Sequence, residues 1–439
     1  MEVIATKLLS QVWKNKRRRR RRTMAAGSQS TASRTTFHLP LEITIEILSR
    51  LPVKTLLRFK SVCKNWYALI KTQDFISKHL QTLSAPNSTP LLLIKYYNHN
   101  AQNYAMSLLS NDGSSGPIDF PFLTPKNYHS VRDISFLGER TRNDFSIAGV
   151  CNGLVCINLS RFGYPLVICN PSTREFRKIP NSNWNWLDEN GFNGSIGVRQ
   201  VSFGFGFHPS ANDYKLIRIV LDLTPMRKDN IRADLYVMST DTWTEIDVNK
   251  LLLFFMYEFG EEYNNVVQIC GSSASAVLNG VFYWPGREVP TDQMVVMSFD
   301  LGDEVFQKIR TPECLDRIWE TNWKLMEFND KLALVVSPDE RGFDVWVLNE
   351  NESSWTKQVK VGSFPRIAIE DGDNRVVGGG KNNELLVTEH KVSGDLKLFS
   401  YDTKTGETKD ILSRDAPYQS FVYLCAETLL PVMQANTLN

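Results

Sequence analysis

Apolar positions recur at helical spacing near the start of the chain. After Pro40, two apolar rows share one short predicted helix, and these are Ile43, Ile47, Leu51 and Leu41, Ile45, Leu48. Two further predicted helices follow, each with an apolar face of its own. Three such helices make a unit of roughly 40 residues, near the size below which a chain seldom folds on its own core. One row would bury a small helix, so the surplus row predicts a protein partner that covers it.

Beyond Leu80 the apolar runs become short and strand-like, and the pattern repeats. Four turns resemble each other, at residues 151–155, 278–284, 329–333 and 382–386. A second kind of turn follows, at residues 169–176, 238–243, 299–306, 348–355 and 401–407. Asn or Asp opens such a turn by bonding its own backbone, and the Trp or Phe that follows is predicted to pack between sheets. The later copies recur every ~50 residues, the period of a four-stranded propeller blade.

The helical stretch resembles the F-box, the adaptor-binding module of cullin-based ubiquitin ligases. Leu-Pro at 39–40, Ile-Leu at 47–48, Leu-Pro at 51–52, Leu56, Val-Cys at 62–63 and Trp66 carry the resemblance. Residues 75–80 resemble the tail that closes this module in plant F-box/kelch-repeat proteins. The resemblance implies a Skp-family adaptor as partner, with a cullin scaffold and a RING subunit reached through the adaptor. The implied adaptor-binding residues are Leu39, Pro40, Ile43, Ile47, Leu48, Leu51, Pro52, Leu56, Phe59, Val62, Cys63 and Trp66.

The repeated region resembles the F-box-associated domain of plant F-box proteins, a degenerate kelch-like propeller. It departs from the kelch pattern because paired glycines are mostly missing, and Gly378, Gly379 and Gly380 form an isolated run. The predicted fold is therefore an α+β multidomain chain, in which a three-helix F-box precedes an all-β propeller of about six blades. The predicted boundaries are a disordered basic leader at 1–36, the F-box at 37–80, a linker at 81–89, the propeller at 90–430 and a tail at 431–439.

The charge of the chain is concentrated in its leader. Eight positive charges lie in one short block although the net formal charge is only +2, so the rest of the chain is net acidic. The block is a candidate nuclear-import signal, and a nucleic-acid patch or a leader without function are the alternatives. A transit peptide and a translation start at Met24 also stay open. We expect a protein shared between cytoplasm and nucleus, without nucleic-acid function, and the import candidates are Lys14, Lys16, Arg17, Arg18, Arg19, Arg20, Arg21 and Arg22.

Residues that could carry catalysis do not cluster in the sequence. The six histidines lie far apart, and the seven cysteines are odd in number and form no C-x-x-C pair. Scattered cysteines of this kind favour reduced thiols inside a cell. No apolar run approaches the roughly 20 residues that a membrane helix needs. The sequence therefore predicts no metal, no cofactor, no membrane partner and no enzyme activity.

These features favour a substrate receptor, in which the F-box binds the adaptor and the propeller holds a target protein for ubiquitination and proteasomal degradation. The alternatives are a glycosidase-like propeller enzyme and a protein-binding scaffold that acts without the adaptor. Aromatic residues in inserts between strands are candidate anchors for the target, because Trp, Tyr and Phe are common at interfaces. The candidates are Trp184, Trp186, Phe254, Phe255, Tyr257, Trp319 and Trp323.

Overall fold

The computed structural model has two compact units, one mostly helical and one built from strands. It describes residues 40–83, 91–98, 103–109, 145–159, 165–182, 199–222, 231–247, 266–269, 274–289, 291, 293–315, 323–336, 342–349, 354–361, 372–379, 383–391, 395–415 and 421–432. We refer to the first unit as the helical unit and to the second as the propeller.

In its described residues the helical unit contains four helices, one more than the three predicted. They are α1 Leu41–Leu48, α2 Val53–Phe59, α3 Lys64–Ile70 and α4 Gln73–Leu83. The predicted closing tail at 75–80 lies inside α4, which continues three residues beyond the predicted end of the module at Leu80. The first residues of the predicted linker are therefore helical, because Phe75, Ile76 and His79 give α4 a buried face of its own.

A proline immediately precedes each of the first two helices. Pro40 and Pro52 precede α1 and α2 with extended backbone, and neither side chain caps its helix. Thr44 N–H and Leu56 N–H donate to the carbonyl oxygens of these prolines. The side chains that form the core of the helical unit have 5% or less of their surface exposed, and they are Leu48, Leu51, Val53, Leu56, Phe59, Ile70, Phe75 and Ile76.

The chain returns to the helical unit after its last strand. Residues 426–430 belong to the helical unit, whereas residues 431–439 group with the propeller. The predicted propeller extends to residue 430, so these five residues lie inside the predicted boundary but group with the helical unit. Periodicity cannot reveal such a return, because the segment has no regular secondary structure.

The propeller consists of six antiparallel sheets, as predicted. Blade 1 contains β1 Leu91–Asn98, β2 Asn103–Leu109 and β24 Phe421–Cys425, and blade 2 contains β3 Ser146–Cys151, β4 Leu154–Asn158, β5 Leu166–Asn170 and β6 Glu175–Lys178. Blade 3 contains β7 Arg199–His208, β8 Asp213–Asp222, β9 Ile231–Val237 and β10 Thr242–Ile246, and blade 4 contains β11 Val266–Ile269, β12 Ala276–Leu278, β13 Val281–Val289, β14 Gln293–Asp300 and β15 Val305–Arg310. Blade 5 contains β16 Trp323–Phe328, β17 Lys331–Val336, β18 Phe343–Asn349 and β19 Ser354–Val361, and blade 6 contains β20 Gly372–Gly379, β21 Glu384–Lys391, β22 Asp395–Asp402 and β23 Thr408–Asp415.

The ring closes by pairing the two ends of the propeller sequence. β24, the last strand, pairs with β1, the first, from Leu91 opposite Cys425 to Lys95 opposite Phe421. The inner strands contact each other in cyclic order, from β3 through β7, β12, β16, β20 and β24 back to β3. Because such closure removes the open edge between the first and last blade, we expect the propeller to unfold as one cooperative unit.

The first kind of predicted turn joins the inner strand of a blade to its second strand. Asn152 and Gly153 both have positive φ, at 49° and 81°, and Asn279 and Gly280 repeat this at 52° and 83°. Two successive residues with positive φ define the hairpin turn that Asn-Gly favours. The prediction of hairpins at these positions is confirmed.

The second kind of turn joins the third strand of a blade to its outer strand. Asn170 Oδ1 accepts hydrogen bonds from the backbone N–H groups of Ser172 and Thr173. Asp300 and Asp402 make the same pair of bonds to the second and third residues after them. The predicted role of Asn and Asp in opening these turns is therefore confirmed.

The aromatic residue after this turn does not always pack as predicted. Phe306 is buried against Phe299, whereas Phe176 at the equivalent place is 47% exposed. Trp243 and Trp355 are half-buried. The prediction of a buried position is thus wrong for Phe176, which leaves nearly half of its surface exposed on the outer strand β6.

Glycines on inner strands allow neighbouring blades to approach. A Cβ atom on Gly379 would overlap the carbonyl oxygen of Glu327 in blade 5, and one on Gly378 would overlap Leu424 in blade 1. Gly204 and Gly206 in blade 3 lie equally close to Phe282 in blade 4. Gly378 and Gly379, from the run that looked isolated in the sequence, therefore lie where two other inner strands come close. A larger side chain at either position would push those strands apart.

The two ends of the blades differ in their connections. Within a four-stranded antiparallel blade, the turn between strands one and two and the turn between strands three and four lie at the same end. We call this end the turn face. The strand ends that lead from one blade to the next lie at the opposite end, which we call the connection face.

Candidate functional site

Large apolar side chains are exposed at the start of α1. Leu41 is 60% exposed and Ile43 is 47% exposed, while Leu48 at the end of the same helix is buried. The two apolar rows predicted more apolar surface than one small helix can bury. In the structure this uncovered apolar surface lies in the first turn of the helix and not along one complete row. Exposed apolar surface of this kind on a small unit marks a candidate protein-binding surface.

The structure divides the residues predicted to bind the adaptor into three groups. Pro40, Ile43, Pro52 and Cys63 are exposed; Ile47, Val62 and Trp66 are half-buried; Leu48, Leu51, Leu56 and Phe59 are buried; and Leu39 lies outside the described residues. A side chain with 2% or less of its surface exposed cannot touch a partner without rearrangement. The four buried residues therefore form part of the core of the helical unit, and adaptor binding by any residue of this set stays a prediction.

The third helix adds an exposed ring that the sequence reasoning missed. Cys63 Sγ accepts a hydrogen bond from Trp66 N–H at 3.4 Å and so caps α3. Trp66 packs against Phe59, with ring centroids 5.0 Å apart, and its neighbour Tyr67 is 47% exposed. The Lys71 ammonium lies 4.8 Å from the Tyr67 ring centroid and lowers the pKa of the phenol. Helical spacing could have identified Tyr67, because a residue next to an inward Trp66 turns about 100° away from it.

Charged and polar contacts join the helices of this unit. Glu46 on α1 pairs with Lys78 on α4 at 2.8 Å and with Arg50 one turn along α1. Hydrogen bonds from Lys78 and then Arg50 lower the pKa of the Glu46 carboxyl. His79 is fully buried and lies 3.0 Å from the Leu51 carbonyl oxygen through Nε2. Because a carbonyl oxygen only accepts, Nε2 donates this bond and the neutral ring keeps its other nitrogen without a proton.

The predicted target-binding aromatics fall mainly outside the described residues. These are Trp184, Trp186, Phe254, Phe255, Tyr257 and Trp319. Trp323 is described, and it is the first residue of β16 rather than part of an insert. It is half-buried and packs against the cluster that includes Leu325 and Leu334. Its position therefore corresponds to blade packing, and its role at an interface stays a prediction.

The residues before the first predicted insert are held by the neighbouring blade. Trp243 Nε1 donates to the Pro180 carbonyl oxygen at 2.7 Å, and Arg218 Nη2 donates to Ser182 Oγ at 2.7 Å. Arg218 is fully buried and also makes two hydrogen bonds to the Asp234 carboxylate. Burial raises the pKa of Asp234, and the Arg218 charge opposes this shift. The described residues that precede this insert are thus held by Trp243 and by the buried Arg218 of blade 3.

Metal ligands, cavities and thiols in the described part of the chain bear on whether it could support catalysis. No group of three or more His, Cys, Asp or Glu residues there is placed to hold a metal ion. A cavity of about 10 Å³ between blades 4 and 5 has room for about one water molecule, and its lining is Met294, Thr311, Leu315, Trp323, Leu334 and Val336. Burial raises the pKa of Cys151 to about 12, so this thiol stays protonated. None of the described helices is long and apolar enough to span a bilayer.

Comparison with known families agrees with both units. Residues 119–434 match the F-box associated beta propeller domain, and residues 37–78 match the F-box domain. The chain belongs to the F-box proteins that carry this propeller. The domain pair indicates a substrate-recognition adaptor of an SCF-type ligase, and proteins of this family are generally non-catalytic adaptors.

Similar curated proteins come from Arabidopsis thaliana. F-box protein At3g07870 is 25% identical over 89% of this chain and 91% of its own length. F-box/kelch-repeat protein At3g23880 is 26% identical over 74% of this chain and 79% of its own length. Among solved structures, TolB from Acinetobacter baumannii is 10% identical, covers 83% of this chain and 71% of its own length, and has a TM-score of 0.39.

Proposed function

We propose that this protein is the target-recognition subunit of an SCF-type ubiquitin ligase. The helical unit binds a Skp-family adaptor, and the propeller binds a target protein that is then ubiquitinated and degraded. The observation that carries this proposal is the exposure of Leu41 and Ile43 on an F-box that shares its chain with a complete propeller. Each large apolar side chain that a partner covers contributes about 1.5–3 kcal/mol when fully buried.

The proposed mechanism is proximity. The target is held beside a conjugating enzyme that other subunits recruit, so that a target lysine meets the activated ubiquitin at a high effective concentration. This chain contributes binding surfaces and no reacting group. The role we infer is therefore that of a non-catalytic receptor.

We place target binding on the connection face of the propeller. The three predicted inserts follow Lys178, Ile246 and Leu315, and each leads from the outer strand of one blade to the inner strand of the next. The ends of the described strands that flank the three inserts lie at the same face. Connections between elements vary more than the elements themselves and commonly carry binding residues.

Adaptor binding is tested with Ile43→Asp in the full chain. A charge forced into a dry interface without a partner costs several kcal/mol, so we expect Ile43→Asp to lose capture of a purified Skp-family adaptor. Phe176→Asp is the matched control, because Phe176 is also 47% exposed but lies on the propeller. Capture at wild-type strength by Ile43→Asp would contradict the proposal, and a wild-type chain that captures targets but no adaptor would favour the scaffold alternative.

Target binding is tested separately with the double variant Trp184→Ala and Trp186→Ala. Proteins captured by the wild type are compared with those captured by this variant while degradation is blocked. We expect the variant to lose specific targets and to keep the adaptor, because truncation of an interface Trp can cost about 2 kcal/mol or more. Unchanged capture of every target would remove this insert from the proposed surface.

A further inference from the structure

The segment that follows the last strand completes one of the helices of the F-box. α2 begins at Val53, and Pro52 before it supplies no side-chain cap. Glu427 Oε2 accepts a 3.1 Å hydrogen bond from the Val53 backbone N–H, across 374 positions of sequence. The first N–H groups of a helix have no partner within the helix, and a carboxylate there is favoured both as an acceptor and by its charge. Glu427 is therefore the N-terminal cap of α2.

This cap is carried by an anchored segment. Thr428 is fully buried, and its Oγ1 accepts a hydrogen bond from Leu430 N–H at 3.2 Å. Leu429 and Leu430 are 5% and 9% exposed. The burial of three successive residues holds the backbone of the segment, so the Glu427 carboxylate reaches α2 from a fixed position.

The segment and α4 both make hydrogen bonds at the short link between α1 and α2. His79 on α4 donates to the Leu51 carbonyl oxygen, and Glu427 accepts from Val53 N–H two residues later. Between these contacts lies Pro52, the exposed proline of the second Leu-Pro step. α2 then contributes Leu56 and Phe59 to the core. The position of α2 thus depends on a contact that the F-box sequence itself does not contain.

We propose that residues 426–430 are part of the adaptor-binding unit and that Glu427 is a positioning residue for adaptor binding. This inference rests on the proposed function, because it assigns the segment a role in binding the Skp-family adaptor. Glu427 acts through α2 and does not need to touch the adaptor. An F-box fragment that ends at residue 83 would lack this contact and would bind the adaptor more weakly than the full chain.

The test uses the full chain and three variants. Glu427→Ala removes the acceptor, Glu427→Gln keeps a neutral acceptor of the same length, and Glu407→Ala is the control because Glu407 is an exposed glutamate in a turn of blade 6. Hydrogen exchange of the α2 amides, Val53–Phe59, reports the position of the helix. Titration calorimetry with a purified Skp-family adaptor reports binding.

We expect Glu427→Ala to raise the exchange rate of the α2 amides and to weaken adaptor binding by up to about tenfold, the limit reached when binding must offset the whole of one lost helix cap of about 1.4 kcal/mol. Glu427→Gln should keep both the α2 exchange rate and the adaptor affinity close to wild type, and Glu407→Ala should change neither quantity. Exchange rates in the propeller strands should stay at the wild-type level in all three variants. Near-wild-type behaviour of Glu427→Gln would show that the hydrogen bond to Val53 N–H matters, and that the effect of Glu427→Ala does not come merely from a shorter side chain.

The outcomes separate this inference from the proposed function. If the wild-type chain does not bind the adaptor, the proposed function fails, and the exchange data still show whether Glu427 caps α2. If the wild type binds and Glu427→Ala changes neither exchange nor affinity, the inference is overturned. Faster α2 exchange with unchanged affinity would also overturn the positioning role, although the cap itself would stand.

Discussion

The indole N–H of Trp355 in blade 5 donates a 2.8 Å hydrogen bond to the carbonyl oxygen of Arg310 at the end of blade 4. Trp243 in blade 3 makes the same contact with Pro180 after blade 2, at 2.7 Å. Both Trp residues follow the second kind of turn, where the repeat of the sequence places an aromatic residue. Their shared function is to tie the outer strand of one blade to the end of the previous blade.

The first prediction concerns this contact. Trp355→Phe keeps an aromatic ring but removes the donor, so we expect the free energy of unfolding of the propeller to fall by about 0.5–1.5 kcal/mol. Urea denaturation followed by far-ultraviolet circular dichroism measures this change. Thr356→Ala on the next, exposed position is the control. An equal effect of both variants would show that the hydrogen bond to Arg310 adds nothing.

The second prediction concerns the buried ion pair in blade 3. Arg218 and Asp234 have 0% and 2% of their side-chain surface exposed. Arg218→Met leaves the Asp234 carboxylate buried without its cation, which typically costs about 3–5 kcal/mol. We expect Arg218→Met with Asp234→Leu to recover much of that stability in urea denaturation, so that the two changes are not additive.

A less buried pair provides the comparison for the second prediction. Lys357 and Asp344 lie 2.7 Å apart, and the Lys357 side chain is 39% exposed whereas that of Asp344 is 12% exposed. Because water screens the Lys357 charge, Lys357→Met should lower the free energy of unfolding by less than Arg218→Met does. If Arg218→Met costs no more than Lys357→Met, the buried pair does not stabilise the propeller in the way described.

The third prediction concerns the approach of blades 5 and 6. A Cβ atom at Gly379 would overlap the Glu327 carbonyl oxygen, and a backbone atom cannot move aside as a side chain can. We expect Gly379→Ala to lower the free energy of unfolding by about 1–3 kcal/mol through overpacking. Gly302→Ala is the control, because its new Cβ would lie 3.1 Å from the side-chain atom Asp300 Oδ1. A thermal melt of each variant gives the comparison, and equal melting temperatures would contradict the packing argument.

The fourth prediction is a pH dependence of the helical unit. Burial lowers the pKa of His79 below its usual value near 6.5, and the bond to Leu51 opposes this only in part. The unfolded state therefore takes up a proton near pH 6.5 that the folded state does not, so the stability of the helical unit falls as pH falls below 6.5. Above this pH both states are neutral at His79 and its contribution is constant.

Hydrogen exchange in α4, corrected for the intrinsic effect of pH, checks this prediction at pH 7.5 and pH 5.5. His79→Gln can still donate to the Leu51 carbonyl oxygen but does not titrate, and we expect it to abolish most of the pH dependence. The same loss of protection at pH 5.5 in the wild type and in His79→Gln would assign the effect to another group.

The fifth prediction concerns the basic leader, which lies outside the described residues. We propose that the block from Lys14 to Arg22 raises the nuclear share of a protein that is otherwise cytoplasmic. Replacement of Arg17 to Arg22 by Ala in a fluorescent fusion should move the signal towards the cytoplasm, and truncation to a start at Met24 should have the same effect. A distribution that both changes leave unaltered would remove the import role.

Local sequence determined the elements of both units, because each element is encoded within a few residues. The Leu-Pro steps place Pro40 and Pro52 before helices, where the missing N–H costs nothing. Asn152 and Gly153 can adopt the positive φ of a hairpin turn, and Asp300 bonds the backbone two residues ahead. The repeat of these turns, together with the resemblance to the F-box-associated domain, predicted a propeller of about six blades.

Only the tertiary structure decided which residues are available to a partner. Leu48 and Ile43 are both apolar positions of one helix, yet Leu48 is buried and Ile43 is exposed. The pairing of Leu91 with Cys425, the contact of Trp355 with Arg310 and the cap of α2 by Glu427 all join residues that no local pattern relates. Sequence periodicity reports which face of an element is apolar, whereas the choice of what covers that face depends on contacts that form only when the whole chain folds.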